Sequence, residues 1–217
     1  MRLRRAFILS IVMAAIAAAG SAASAQERPN ARPGLRPLAP DQAQEAKRRA
    51  PAPPKLDRAQ RLSALFEALK AAPSAQAAQA VESRIEAMMM QSGSDTADLL
   101  MVRARTVIEA KDFDLSLRLL DSIVELSPDF TEAYAQRATV HYLKKDVYRS
   151  LADLRVVVSR EPRHFAALAG LGVILQDIGE DKRALDAYRR AVQTNPHIRG
   201  IQQIIKRLEV KVEGREI

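Results

Sequence analysis

Three prolines, Pro128, Pro162 and Pro196, stand 34 residues apart, and the residues before each follow one pattern. Self-similarity at a fixed period of this size means a repeated structural unit. The units run 97–130, 131–164 and 165–198. Each holds two positions, twelve residues apart, that carry small side chains: Ala104 and Ser116, Ala138 and Ser150, Gly172 and Ala184. Small residues at matched positions mark where two helices of one unit cross closely. Larger apolar residues recur at helical spacing around them. They are Leu100, Val107, Leu120 and Ile123, then Tyr134, Leu154 and Val157, then Leu168, Leu171, Leu175 and Tyr188. A single helix pair is too small to bury its apolar face, so the units have to stack.

The third unit reads Leu168-x-x-Leu171-Gly172-x-x-Leu175, then Ala184-x-x-x-Tyr188, Ala191 and Pro196. This resembles the tetratricopeptide repeat (TPR), and the three repeats span 102 residues of the chain. The resemblance implies an all-α fold, a right-handed superhelix of antiparallel helix pairs. Units one and two match more loosely. Arg103 and Arg137 stand where the family usually has Leu, and His141 replaces an aromatic residue. Each arginine is expected to lay its stem on apolar surface with its head in water. Asp112 and Asp146 suit helix N-caps at the turn inside their units. At that turn only Gly179 adopts a left-handed conformation without cost.

The repeats are flanked by further helices. In 57–92, Asp57 and Ser74 suit N-caps, Leu62, Leu65, Phe66 and Leu69 form one stripe, and Pro73 separates it from a second. That second stripe is Ala77, Val81, Ile85, Met88 and Met89, with Gly93 as its stop. The segment is out of register with the repeats, and is expected to be a divergent pair covering the exposed face of the first unit, as end repeats do. Residues 199–212 form a capping helix, apolar through Ile201, Ile204, Ile205, Leu208 and Val212 and polar opposite.

The N-terminus carries Arg2, Arg4 and Arg5, an apolar run from Phe7 to Gly20, and Ala23-Ser24-Ala25. That order is expected of a signal peptide over 1–25, cleaved after Ala25. The apolar run is 14 residues, short of the ~20 that span a bilayer, which disfavours an uncleaved membrane anchor. Residues 26–56 contain seven of the eleven prolines and no helical or strand period, so a disordered linker is expected there. The whole-chain order resembles exported, periplasmic TPR proteins of Gram-negative bacteria. The net charge of +8 suggests nucleic acid only until it is located. Residues 26–56 hold seven basic against three acidic residues, whereas 57–217 hold 24 against 23. A nucleic-acid face would put the excess on the folded part.

No constellation for catalysis or for a cofactor is present. His141, His164 and His197 are not at metal-helix spacing, there is no cysteine, and no Gly-x-Ser-x-Gly occurs. His141 is expected in or near the core, and the other two as caps or contacts at the turns between units. Met88, Met89, Met90 and Met101 invite a soft-metal site, but as adaptable core filler they need no metal. The TPR resemblance implies instead a concave groove lined by the first helix of each repeat. Carried over, it consists of Asp98, Met101, Arg105, Ile108 and Glu109, then Glu132, Ala135, Thr139, Tyr142 and Leu143. The third repeat adds Ala166, Ala169, Val173, Gln176 and Asp177. The implied role is a non-catalytic adaptor that holds a peptide or helix of another envelope protein. The alternative is a scaffold that self-assembles through its convex face or end helices.

Overall fold

The computed structural model describes residues 56–214, all of its regular structure helical. The expected signal peptide and almost all of the expected linker lie outside the described residues. None of the described helices is long and apolar enough to cross a membrane.

The helices are α1 (Arg58–Lys70), α2 (Ala75–Met89), α3 (Asp95–Glu109), α4 (Phe113–Leu126), α5 (Thr131–Leu143), α6 (Val147–Arg160), α7 (Phe165–Asp177), α8 (Asp181–Thr194) and α9 (Ile201–Glu213). The pairs α3–α4, α5–α6 and α7–α8 each pack along their length, and each pair stacks on the next. The six small residues at the crossings are all buried. Ser150 does more than fit: its Oγ donates to the carbonyl of Ala138 on the facing helix at 2.7 Å.

Local signals determine where helices begin. The Asp57 carboxylate accepts from the Gln60 amide at 2.7 Å, and the Gln60 side chain accepts from the Asp57 amide, a complete capping box. Ser74, Asp112 and Asp146 cap α2, α4 and α6. The turn inside each repeat is one device used three times. Lys111, Lys145 and Gly179 all take left-handed backbone, with φ of 62°, 68° and 84°. The residue after each sends its amide back five residues, to the carbonyls of Val107, His141 and Leu175. This is the Schellman closure. The two lysines adopt a conformation that costs a residue with a Cβ about 1–2 kcal/mol. The closure is held by the helix packing on either side, which overrides that local cost.

The end of α2 departs from expectation. It stops at Met89, and Gly93 (φ 88°) lies beyond it in the connection to α3. Arg58 serves as its C-terminal cap, donating to the carbonyls of Met88 (2.8 Å) and Gln91 (2.7 Å). The stripe residues Phe66, Leu69 and Ile85 form a small core between α1 and α2 together with Ala78, which is buried in place of the expected Ala77. The methionines are packed as filler in two places: Met89 against this core, and Met101 with Met90 in the core of the first repeat.

The position of this pair corrects the sequence reading. It does not cover the outer face of the first repeat; α2 and α3 hardly touch. That face is left bare, with Leu99 71% and Val102 65% exposed. The pair instead folds back along the array, and α1 packs against α8. The Ala72 carbonyl accepts from His197 Nε2 at 2.8 Å, and Glu82 Oε1 accepts from Asn195 Nδ2 at 2.6 Å. Arg163 donates to Ser63 Oγ at 3.1 Å and lies 4.5 Å over the Phe66 ring. Glu86 pairs with Arg105 at 3.5 Å. The physical reason is chemical matching: α2 carries the carboxylates of Glu82 and Glu86, and the array offers Asn195 and Arg105 for them along one edge.

At the other end α9 behaves as a cap should. Ile201, Ile205 and Leu208 are buried and Gln202, Gln203, Lys206 and Arg207 face water. Arg189 of α8 holds it through Glu209 (2.6 Å) and Glu213 (2.8 Å).

Candidate binding groove

The three first helices, α3, α5 and α7, carry the fifteen lining residues implied by the resemblance, but they are not equally available. In the first repeat Met101 and Ile108 are core residues. Asp98 accepts from the Ser92 amide (2.8 Å) and hydroxyl (2.6 Å), which fastens the α2–α3 connection. Arg105 is engaged by Glu86. Burial pushes the Glu86 carboxyl above the usual carboxylate range, with Glu132 and Glu82 adding to the rise and Arg105 opposing it. Only Glu109 is exposed. This third of the groove is therefore largely engaged by the chain itself, through its own core, the α2–α3 connection and Glu86 of the N-terminal pair.

The second and third repeats differ. Glu132, Tyr142, Ala169 and Val173 are buried, Ala135, Thr139, Leu143, Ala166 and Gln176 half-buried, and Asp177 exposed. Between α5 and α7 the small side chains Ala135, Ala138, Ala166, Ala167 and Gly170 leave a pocket of about 60 Å³. Leu154 and Ile174 close its apolar end. Tyr142 lines it too, and its hydroxyl donates to Asp177 Oδ2 at 2.6 Å, tying the second repeat to the third.

The other end of the pocket is polar and built. Glu132 Oε1 accepts from Gln136 Nε2 at 2.9 Å, and Oε2 lies 3.2 Å from His164 Nε2. His164 caps α7 by accepting the Ala167 amide on Nδ1 at 3.2 Å. A nitrogen that accepts carries no proton, so the ring proton sits on Nε2 and is donated to Glu132. His164 is thus a cap and His197 a contact, and His141 is buried in its helix. Burial lowers the pKa of His141, with Asp153 and Asp146 pulling the other way.

Sequence reasoning missed Gly170, Gln136, His164, Leu154 and Ile174 as pocket walls. Gly170 was the detectable signal. A glycine inside a helix costs about 1 kcal/mol relative to alanine, so it calls for a packing reason. None is present: a Cβ there would meet only Leu154 Cδ1, at 3.9 Å. The absent side chain is the open space of the pocket.

Among the described residues no group of His, Cys, Asp or Glu is placed to hold a metal ion. A second depression, lined by Lys144, Lys145, Asp146, Val147, Tyr148, Leu151 and Ile178, lies at the turn inside the second repeat and includes none of the fifteen lining residues.

Comparison with known proteins agrees with this architecture, although no family model matches the chain. A TPR repeat-containing protein of Rhizobium etli is 35% identical over 155 residues, covering 71% of this chain and 76% of that protein. Among solved structures, MamA superimposes with a TM-score of 0.51 at 16% identity, covering 82% of this chain and 86% of that one. The first TPR domain of Spaghetti, bound to an HSP90 peptide, gives a TM-score of 0.51 at 13% identity, over 54% of this chain and 93% of that one. At such identities the structures speak to the fold alone. TPR domains are protein–protein interaction modules, and nothing in these likenesses points to an enzyme. With the relative's identity and coverage added to the 34-residue register and the helix-pair stacking, this chain belongs to the tetratricopeptide repeat proteins.

Proposed function

We propose that this chain is an exported, non-catalytic adaptor of the cell envelope that binds a peptide or helix of another protein on its concave face. The observation that carries the reading is the unfilled apolar pocket between α5 and α7. Protein interiors rarely leave such space, because each missing contact costs dispersion energy. At about 60 Å³ it is smaller than the ~150 Å³ cavity that admits benzene, and suits one branched aliphatic side chain. Export is supported by the order of charges, apolar run and small residues before residue 26. The peptide seen on Spaghetti supports a peptide ligand by likeness of fold only.

The test fills the pocket from inside. Gly170→Val places two methyls where the ligand side chain would go, and the Cβ meets nothing closer than 3.9 Å. Expected is an unchanged helical circular dichroism spectrum with at least a tenfold loss of the partner that co-purifies with the tagged wild-type chain. Undiminished co-purification would move the site away from this pocket.

One observation favours a second reading, the self-assembling scaffold. The bare end of the array exposes Leu99 and Val102 side by side on α3. Sedimentation equilibrium separates the two readings: a stable oligomer that Leu99→Gln/Val102→Gln dissolves supports the scaffold, and a monomer at high micromolar concentration removes it.

A further inference from the structure

We propose that the edge of the array covered by α2 is a second recognition surface, for an acidic amphipathic helix of a partner, and that α2 occupies it in cis as a stand-in. The groups that hold α1 and α2 on this surface, Arg105, Arg163, Asn195 and His197, are not among those lining the pocket between α5 and α7.

The receptor groups come from the whole length of the array. Arg105 belongs to the first repeat, Arg163 to the turn before α7, and Asn195 and His197 to the turn before α9. All four carry donors on side chains that reach the pair: Arg105 and Asn195 reach α2, Arg163 reaches α1, and His197 reaches the Ala72 carbonyl in the turn between them. Facing them, Glu82 and Glu86 sit one turn apart on α2, so both carboxylates lie on one face of the helix. The spacing of receptor groups is matched by the spacing of the carboxylates, and charge complementarity of this kind selects a partner and its register.

The same contacts show that the stand-in can leave. The pair carries its own apolar core of Phe66, Leu69, Ala78 and Ile85, to which the array contributes only Phe165. Met90, at the end of α2, packs against the core of the first repeat; what joins the pair to the array is otherwise polar: one ion pair, three hydrogen bonds and the stacking of Arg163 on Phe66. Undocking therefore exposes little apolar surface beyond Phe66, Phe165 and Met90. Such polar interfaces within a chain resemble transient complexes. The connection to α3 is short, so the pair acts as a competitor at an effective concentration on the order of mM. A partner helix has to outbid it, which restricts the surface to ligands that present the same two carboxylates on a better apolar face.

The experiment uses the full chain and a fluorescein-labelled synthetic peptide of residues 56–92, read by anisotropy. In the chain carrying Glu82→Arg/Glu86→Arg the cis pair is repelled from Arg105 and its neighbours. Expected is binding of the peptide to that variant at least tenfold tighter than to the wild-type chain, weakening as salt rises. The peptide bearing the same two reversals should bind neither chain. Adding Arg105→Ala/Asn195→Ala to the opened chain should abolish the gain. Should the arginines disrupt α2, as seen by hydrogen exchange, Glu82→Gln/Glu86→Gln removes the charge at constant shape and should give the same order at smaller amplitude. Equal binding of the peptide to opened and wild-type chains, no binding to the opened chain, or indifference to the peptide's charge reversal would each overturn the proposal.

Discussion

Replacing Gly172 by alanine is expected to destabilise the protein, and replacing Gly170 by alanine to leave it unharmed or slightly more stable. The two glycines are separated by one residue on α7, and both substitutions gain the same helix propensity, roughly 1 kcal/mol. Their surroundings decide the sign. A Cβ at Gly172 would stand 2.6, 2.7 and 2.8 Å from Cε1, Cδ1 and Cζ of Tyr188. That ring is fully buried and its hydroxyl donates to Gln176 Oε1 at 3.4 Å, so it has nowhere to withdraw. Overpacking of this kind costs about 1–3 kcal/mol, and contacts this short belong at the upper end. The expected net loss is about 2 kcal/mol, a fall in Tm of roughly 4–8 °C in a domain of this size. Thermal unfolding of the two single variants checks it. A Gly172→Ala protein as stable as Gly170→Ala would refute the packing of α7 on α8. The neighbour differs from the one the repeat pattern suggests: Ala184 makes room at the crossing, but the atoms nearest Gly172 are those of Tyr188.

Arg137→Met is expected to cost more, about 3 kcal/mol. The sequence places this arginine where the repeat family has Leu, and its head is expected in water. In the structure the head is instead the hub between three helices. Nε and Nη2 donate to the two oxygens of Asp153 at 2.9 and 2.7 Å, and Nη1 donates to Asp121 at 2.9 Å. Hydrogen bonds from the guanidinium to Asp153, then the charges of both carboxylates, raise the arginine's pKa against the cost of burial. Tyr134 stacks beside it, with Arg137 at 5.4 Å and Arg160 at 4.8 Å from the ring centre. Asp153 is only 5% exposed, so removing its partner strands a charge in the interior. Breaking a buried pair costs about 3–5 kcal/mol, and the open side at Asp121 puts this one at the lower bound. The double variant Arg137→Met/Asp153→Leu should recover most of the loss, because an apolar pair of similar volume needs no partner. Urea titrations of the single and double variants measure the difference. A double variant no better than the single would show that the aspartate is not what the arginine serves.

These two sites show what could and could not be read from the chain. Helix starts at Asp57, Ser74, Asp112 and Asp146 were legible because a cap acts on an amide two or three residues away. The six small residues at the crossings were legible because a repeat tests each position three times. Arg137 was misread because its partners are sixteen residues before and after it, on other helices. The signal was there: Asp121, Arg137 and Asp153 are equally spaced, as side chains stacked through consecutive helices would be. The left-handed lysines were hidden in the same way, since nothing in a lysine announces a positive φ. Only the 34-residue step from Gly179 points to Lys145 and Lys111.

The placement of α1 and α2 was the least legible. An apolar stripe states that a helix is buried on one side and is silent about which surface buries it. The better signal was negative: Leu99 and Val102 would have been covered by a pair stacked in register, and apart from Arg105 the polar partners that hold the pair elsewhere are a hundred or more residues away in the chain. For the candidate groove, the resemblance supplied helix faces but not occupancy. It could not distinguish Arg105 and Asp98, engaged by the chain itself, from Ala135, Thr139 and Ala166 around an open pocket.

The central claim, that a partner protein sits on the concave face between α5 and α7, is tested most directly by site-specific photocrosslinking in cells that express the chain natively. A photoreactive residue is introduced at Thr139 or Ala166, which border the pocket, and separately at Arg155 or Arg183, exposed on the second helices of their repeats. Adducts of one defined mass from positions 139 and 166, lost on Gly170→Val and not formed from 155 or 183, are the predicted result. Adducts from positions 155 and 183 with none from the pocket would contradict it.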